Sequence, residues 1–347
     1  MPDKKEEEKS FFKKHEFAFS LMLFIVFLAL FILVSGHKIN LTQTCGDGTP
    51  YNECSITKPY FCDGGFLIEK ASACGCEGSS INGETCLLPY QTEPKNVILN
   101  YILDGKQQGL EFNIYGGLVD YLTHESRDIS YQSGQTPARA DFKLKILNNQ
   151  LQREFLMPLV IAIQNQTKDK VEQARIATSI VQNIPYGFSN KTTTFYGQEI
   201  NYSRYPYEIL ADNAGICGEK SELLAFLLRE LGYKTAIFYN QKENHEYVGI
   251  SCPREESYKG TGYCFIETTA PAIISDGSIE YVGGVVLDSD PEIISISNGT
   301  SLPRNLAEYR DAKIMKAIRE NQPLLFREFE FNRLKEKYGL VEEYFSA

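Results

Sequence analysis

The sequence predicts an α+β protein: a helix that opens on a cysteine and packs on an antiparallel sheet, preceded by one transmembrane helix and a small disulfide-rich module. Three observations predict it. Phe17 to Ser35 carries no charge. Six of the nine cysteines crowd between Cys45 and Cys86. After residue 136, helical apolar spacing gives way to short apolar strands, and the changeover follows a segment that starts near Cys217. The chain therefore divides into a tail at 1–16, a span at 17–35, a cysteine-rich module at 45–86, a β-rich segment at 97–135, a main domain at 136–300 and a helical segment at 303–347.

The span is long enough for a bilayer. Nineteen residues reach about 28 Å as a helix. Lys4, Lys5, Lys9, Lys13 and Lys14 precede it, and only Lys38 follows within twenty residues. The positive-inside rule then puts the N-terminus in the cytoplasm and residues 36–347 outside the cell membrane. The alternative is a cleaved signal peptide cut near Ser35-Gly36. Its apolar region would usually be only ~7–15 residues long, so an uncleaved anchor is the favoured reading. Asn40, Asn165, Asn190, Asn201 and Asn298 each begin a glycosylation sequon, all after the span. Abundant cysteine fits an oxidising compartment. A net charge of −10 with no basic block argues against nucleic acid as a partner.

Residues 45–86 are dense in glycine, proline and turn-forming Asp and Asn, with little apolar periodicity. Such a stretch buries little core and needs cross-links. Zinc is the competing reading. However, Cys74-x-Cys76 lacks the two-residue gap of a zinc knuckle, and no histidine lies in the stretch. Disulfides are favoured, with the pairing left open. The run from DGTPY through CSITKPYFC to CGC resembles a short cysteine-rich module of archaeal surface proteins. That resemblance implies a compartment and a lineage but no chemistry.

Val97–Leu103 and Leu110–Tyr115 read as strands around the hairpin turn Asp104-Gly105. Helical patterns cover Ala138–Ile163 and Lys168–Ile184, the second closed by Pro185. Residues 186–206 read as loop. Asp212 or Asn213 is the expected cap of a helix from Ile216 to Leu231, stopped by Gly232. Leu224, Leu227, Leu228 and Leu231 form its apolar stripe, with Glu219, Glu222, Arg229 and Glu230 pointing elsewhere. Strands are expected at Lys234–Tyr239, His245–Ser251, Tyr263–Thr269, near Tyr281–Leu287 and at Glu292–Ser297. The tail from Leu306 to Tyr344 is helical, with a break at Pro323.

The candidate chemistry lies on this helix and sheet. If six cysteines pair within the module and Cys252 pairs with Cys264, Cys217 is the odd thiol. A helix N-terminus offers unpaired N–H groups and partial positive charge, both of which favour a thiolate. His245 is the only histidine after residue 124, so it is the only candidate base for such a thiol. Glu267 sits in an apolar strand, where an unpaired carboxylate would be costly and an imidazole would be a partner. Glu246 and Asp276 are fallback acids. Register poses one difficulty. With Cys252 opposite Cys264, His245 would face Pro271, about 13 Å along the strand from Glu267. A slip of four residues brings His245 and Glu267 together.

GICGEKSELLAFLLRELGYKT, from Gly215 to Thr235, resembles the nucleophile helix and next strand of the transglutaminase-like superfamily. HEYV resembles its histidine strand, where an aromatic often stands two places after His, and FIETT its acid strand. The helix ARIATSIVQNIPY resembles the one leading into that core. The similarity covers about residues 165–275. It implies a papain-like α+β fold with Cys217 as nucleophile, His245 as base then acid, and Glu267 orienting His245. The third residue is commonly Asp in that superfamily. The chain has no Trp, and Tyr205 or Tyr207 would have to replace an active-site indole. The implied function is a membrane-anchored, extracellular cysteine-dependent amide hydrolase or acyl transferase, acting on a protein or peptide substrate at the cell surface. The alternatives are a protein-crosslinking transglutaminase and a non-catalytic adhesion or scaffold protein. No cofactor is expected. No metal site is read either, since no EF-hand loop spacing occurs.

Overall fold

The computed structural model of the protein describes residues 43–341 apart from 137, 196–197 and 279–285, together with Met22. Contacts divide the chain into Met1–Gln43 and Thr44–Ala347. The expected span at 17–35 lies outside the described residues except for Met22. Among the described residues no helix is long and apolar enough to cross a membrane. All elements below belong to the second unit, a mixed α/β structure with small antiparallel sheets and disulfides.

The module begins with a hairpin of β1 (Tyr60–Asp63) and β2 (Phe66–Glu69). A short α1 (Ala71–Cys74) and a second hairpin, β3 (Ser80–Asn82) with β4 (Thr85–Leu87), complete it. Cys45–Cys62, Cys54–Cys74 and Cys76–Cys86 are its disulfides. The pairing that composition left open is thus three bonds between cysteines 10–20 residues apart in sequence. They substitute for a core that is only Cys45, Tyr60, Cys62 and Leu67 packed on Ile161.

β5 (Pro94–Leu103) and β6 (Lys106–Tyr115) pair along their whole length. Asp104 and Gly105 make the two-residue turn, with φ of 48° and 75°, as a type I′ hairpin requires. α2 (Gly116–His124) follows. The expected single helix over 138–163 is two, α3 (Arg139–Leu147) and α4 (Gln150–Gln166). The break is at Asn148-Asn149, where Asn149 Oδ1 accepts the Gln152 N–H at 2.9 Å and caps the second helix. α5 (Lys170–Asn183) is capped by Asp169, which accepts from Val171 and Glu172. Residues 186–206, read as loop, contain a hairpin of β7 (Thr192–Phe195) and β8 (Gln198–Asn201). An unexpected α6 (Pro206–Asp212) starts at a proline, a favoured first helical residue.

Beside the Ile161 packing, the module is hydrogen-bonded to α4 through the Asn165 side chain. The Asn165 amide accepts the Leu67 N–H at 2.8 Å and donates to the Leu67 carbonyl at 3.0 Å, pairing with β2 as a strand would. The sequon at Asn165 is therefore occupied in holding the seam together. Asn165→Ala leaves both Leu67 backbone groups without these partners. The expected cost is about 1–3 kcal/mol. A lowered urea midpoint, with earlier protease cutting inside 45–86, checks it.

α7 (Cys217–Glu230) is the central helix. Its sheet has the order β11–β10–β9–β12, all antiparallel, made of β9 (Thr235–Asn240), β10 (His245–Ser251), β11 (Tyr263–Ile266) and β12 (Glu292–Ser297). The two-residue period sorts the faces. Ile237, Val248, Ile250, Ile266 and Ile294 pack with Leu224, Leu227, Leu228 and Leu231 of α7. Phe238, Tyr247, Tyr263 and Phe265 form a second apolar cluster. Most of the expected strand at 281–287 lies outside the described residues. α8 (Ala307–Arg319) and α9 (Arg327–Tyr338) flank Pro323 as expected.

One expectation about α7 needs correction. Its cap is Ile216 and not Asp212 or Asn213. The Glu219 carboxylate takes the Ile216 N–H at 3.0 Å, and Asp212 ends α6. Glu219 and Glu222, off the apolar stripe, are both buried. The helix is enclosed on its polar side as well, by α3, α5 and α6. A charged stripe there must find partners within the protein.

Candidate active site

Cys217 is the first residue of α7, half-buried, and the only cysteine outside the four disulfides. Cys252–Cys264 is the fourth bond. The chain reaches Cys217 through a parallel bridge between Tyr186 and Gly215. Gly187 donates to the Gly215 carbonyl at 3.2 Å, and Gly215 donates to the Pro185 carbonyl at 3.1 Å. Glu219, which accepts from Ile216, is itself held by Arg204. The Arg204 backbone N–H donates to Glu219 Oε1 at 2.8 Å and its Nη2 to Oε2 at 2.8 Å, with both side chains buried. A fully enclosed ion pair thus fixes the turn just before the thiol.

His245 opens β10 and is 2% exposed. Its Nε2 lies 2.9 Å from Glu267 Oε2. The Cys217 side chain is a further hydrogen-bond partner of the imidazole. The structure therefore brings together the three residues that the sequence singles out. The strands do so by a slip of two residues and not four. Ile250 faces Cys264 and Val248 faces Ile266, so His245 would face position 269 if pairing continued. β11 ends at Ile266 instead. Glu267 is the first residue after the strand, and its side chain reaches His245 from there.

Glu267 is fully satisfied. Its Oε1 accepts from the Thr268 N–H, the Thr269 N–H and Thr269 Oγ1, each at 2.8 Å. Burial opposes its charge, but His245 and these donors outweigh it and hold the carboxyl below its ordinary range. Burial likewise opposes charge on His245. The Glu267 carboxylate and the Cys217 hydrogen bond overcome it and raise the imidazole from 6.5 to about 10. Tyr247 stacks beside it, ring centres 6.2 Å apart.

These shifts predict a stability profile. Glu267, lowered, favours the fold above the unfolded carboxyl value of about 4.3 and ceases to as pH falls through its folded value. His245, raised, favours the fold fully below about 6.5 and loses that contribution as pH climbs through its folded value. The Tm gap between wild type and Glu267→Gln is therefore expected to be widest between about pH 4.5 and 6.5. Calorimetry from acid to alkaline pH checks this. A gap that widened above neutrality would contradict it.

The fallback acids are used elsewhere. Glu246 pairs with Arg139 at 2.9 Å and Lys143 at 2.6 Å, and Asp276 pairs with Arg319. Tyr205 and Tyr207 have partners of their own. Tyr205 lies under the Arg127 guanidinium, and Tyr207 accepts the Tyr115 N–H at 2.8 Å. The aromatic beside the thiol is Tyr186, raised first by its burial and then by the charges of Cys217, Glu219 and Glu267.

Sequence reasoning missed four supporting residues: Gln182, Lys220, Thr268 and Thr269. Gln182 Nε2 donates to the Glu267 carbonyl at 2.9 Å and to the Ala272 carbonyl at 3.1 Å. Ser221 and Thr268 hydroxyls meet at 3.2 Å. The Thr-Thr pair after Glu267 was the one legible signal, since Thr commonly bonds nearby groups in turns. A separate cleft of about 370 Å³ lies between the module, β6 and α4, and none of Cys217, His245 and Glu267 borders it. Among the described residues no group of His, Cys, Asp and Glu side chains is placed to hold a metal ion.

No protein-family model matches the chain, and no curated protein matches it. Among solved structures, Legionella pneumophila LapG (calcium-bound) matches with 13% sequence identity and a TM-score of 0.24. The match covers 51% of this chain and 98% of that one. At that TM-score the likeness adds nothing to the case made by the site's own geometry.

Proposed function

We propose that the chain is a membrane-anchored, extracellular, cysteine-dependent amide hydrolase or acyl transferase of the transglutaminase-like superfamily, with Cys217, His245 and Glu267 as its catalytic triad. One observation supports this most. A single buried imidazole is held between a carboxylate and a free thiol at the start of a helix. The membrane anchor rests on the uncharged stretch Phe17–Ser35 and the lysines before it.

In this reading His245 takes the Cys217 proton, and the thiolate attacks an amide carbonyl carbon. The Cys217 N–H, one of the four unpaired donors of the helix start, faces the developing oxyanion. Collapse breaks the C–N bond, and the imidazolium protonates the leaving amine. A thioester remains. Water, giving its proton to His245, releases the acid and restores the thiol. An amine in place of water gives transfer. Hydrolysis of a protein or peptide at the cell surface is the favoured outcome.

Iodoacetamide labelling of the unreduced protein tests the reading. Peptide mass mapping should show Cys217 alkylated, and faster at pH 6 than a cysteine in an unstructured peptide. A folded protein whose Cys217 stayed unlabelled would favour the surface-scaffold alternative.

A further inference from the structure

Lys220 is one turn beyond Cys217 on α7 and is completely enclosed. An ammonium in such a place is expensive unless it is both hydrogen-bonded and charge-balanced. Its Nζ donates to three main-chain carbonyls: Ile184 at 2.5 Å, Thr269 at 3.1 Å and Gln182 at 3.5 Å. Its stem fills the space beside Gly215, where a Cβ would come within 2.9 Å of Lys220 Cγ. These contacts fall on three segments that matter to the site. Gln182 and Ile184 lead into the stretch that bridges to Gly215. Gly215 is two residues before Cys217. Thr269 is the residue whose N–H and hydroxyl hold Glu267.

Charge makes a second, independent point. Glu267 acts on Lys220 electrostatically. With thiolate and imidazolium formed, Cys217 and Glu267 contribute −2, and His245 with Lys220 contributes +2. With Cys217 acylated and His245 neutral, Glu267 and Lys220 again cancel. Without Lys220 the enclosed site would carry an excess negative charge at both stages. Burial tends to strip Lys220 of its proton, lowering it to about 7, and Glu267 works against this. The titratable group that acts on it is Glu267, after β11, and Cys217 and Glu219 share its helix.

We propose that Lys220 is a positioning residue of this site: it ties the nucleophile helix to the segment carrying Glu267 and, when protonated, is that carboxylate's counter-charge. The proposal rests on the reading of Cys217, His245 and Glu267 as a triad.

The test is the rate of Cys217 alkylation by iodoacetamide at pH 6 in the full chain, with Lys220→Met against wild type. Wild type should react faster than a cysteine in an unstructured peptide under the same conditions. Lys220→Met, still folded by circular dichroism, should lose about tenfold in rate. Lys220→Arg should keep more of the rate than Lys220→Met. An unchanged rate in folded Lys220→Met overturns the proposal and leaves the triad standing. A wild type no faster than the peptide overturns the triad reading instead, and the proposal with it. Should Lys220→Met fail to fold, Lys220→Met combined with Glu267→Gln decides. A counter-charge role predicts that neutralising Glu267 restores folding. A double variant as unfolded as the single overturns the proposal.

Discussion

Replacing Cys217 with alanine is expected to abolish amide cleavage or acyl transfer while leaving the fold intact. Cys217 is the only cysteine free of a disulfide, so no second thiol can substitute. His245→Ala should be nearly as damaging. General acid–base help is typically worth ~10²–10⁴-fold, and the same imidazole also stabilises the thiolate. Glu267→Gln should cost less. The amide oxygen can still accept from Thr268 and Thr269, but the charge that sustains the imidazolium is gone. The ordering Cys217 ≥ His245 > Glu267 in lost rate, read with an active-site thiol probe and then a peptide amide, is the expected outcome. Activity that survived Cys217→Ala would remove the enzyme reading altogether. Fold should persist because Leu224, Leu227, Leu228 and Leu231, which anchor α7, are untouched.

Arg204→Ala is expected to produce the largest loss of stability. Arg204 and Glu219 are both buried, and the guanidinium meets the carboxylate through Nε and Nη2 as well as its own backbone N–H. Removing one member of such a pair leaves an uncompensated charge, which typically costs about 3–5 kcal/mol. Replacing both at once behaves differently. Arg204→Met with Glu219→Leu should recover much of the loss, since apolar substitutes avoid desolvation altogether. Recovery should stop short of wild type, because Glu219 also accepts the Ile216 N–H. Urea unfolding of the three proteins decides the matter. A single variant as stable as wild type would mean that the pair contributes nothing. The double variant should also alkylate slowly at Cys217, since the turn before the thiol is no longer held.

The three residues that the structure brings together were legible in the sequence for specific reasons. A lone histidine after residue 124 leaves no choice of base. The cysteine count isolates Cys217 by parity. A carboxylate between Ile266 and two threonines, in an apolar run, calls for a partner. The ends of α5 and α7, at Pro185 and Gly232, and the Asp104-Gly105 turn were equally plain, because proline and glycine act locally on backbone angles. What stayed hidden depends on contacts remote in sequence. The break between α3 and α4 was missed because apolar spacing continues across Asn148-Asn149. α6 was missed because it is only 7 residues long and its burial comes from packing and not from periodicity.

The sequence by itself thus determined the type of the central helix and of the strands of its sheet, the odd thiol, and the three side chains that the structure brings together. Local rules suffice there: the periods of helix and strand, the caps and the pairing count. Only the tertiary structure decided the pairing of the six module cysteines, the two-residue register slip and the burial of α7's charged face. Each depends on which distant segment fills the neighbouring space. Glu219, Lys220 and Glu222 look like solvent-facing residues on a helical wheel. They are buried because α3, α5 and α6 close over them, and once buried each needs a partner that no local pattern specifies: Arg204, three main-chain carbonyls and Lys143.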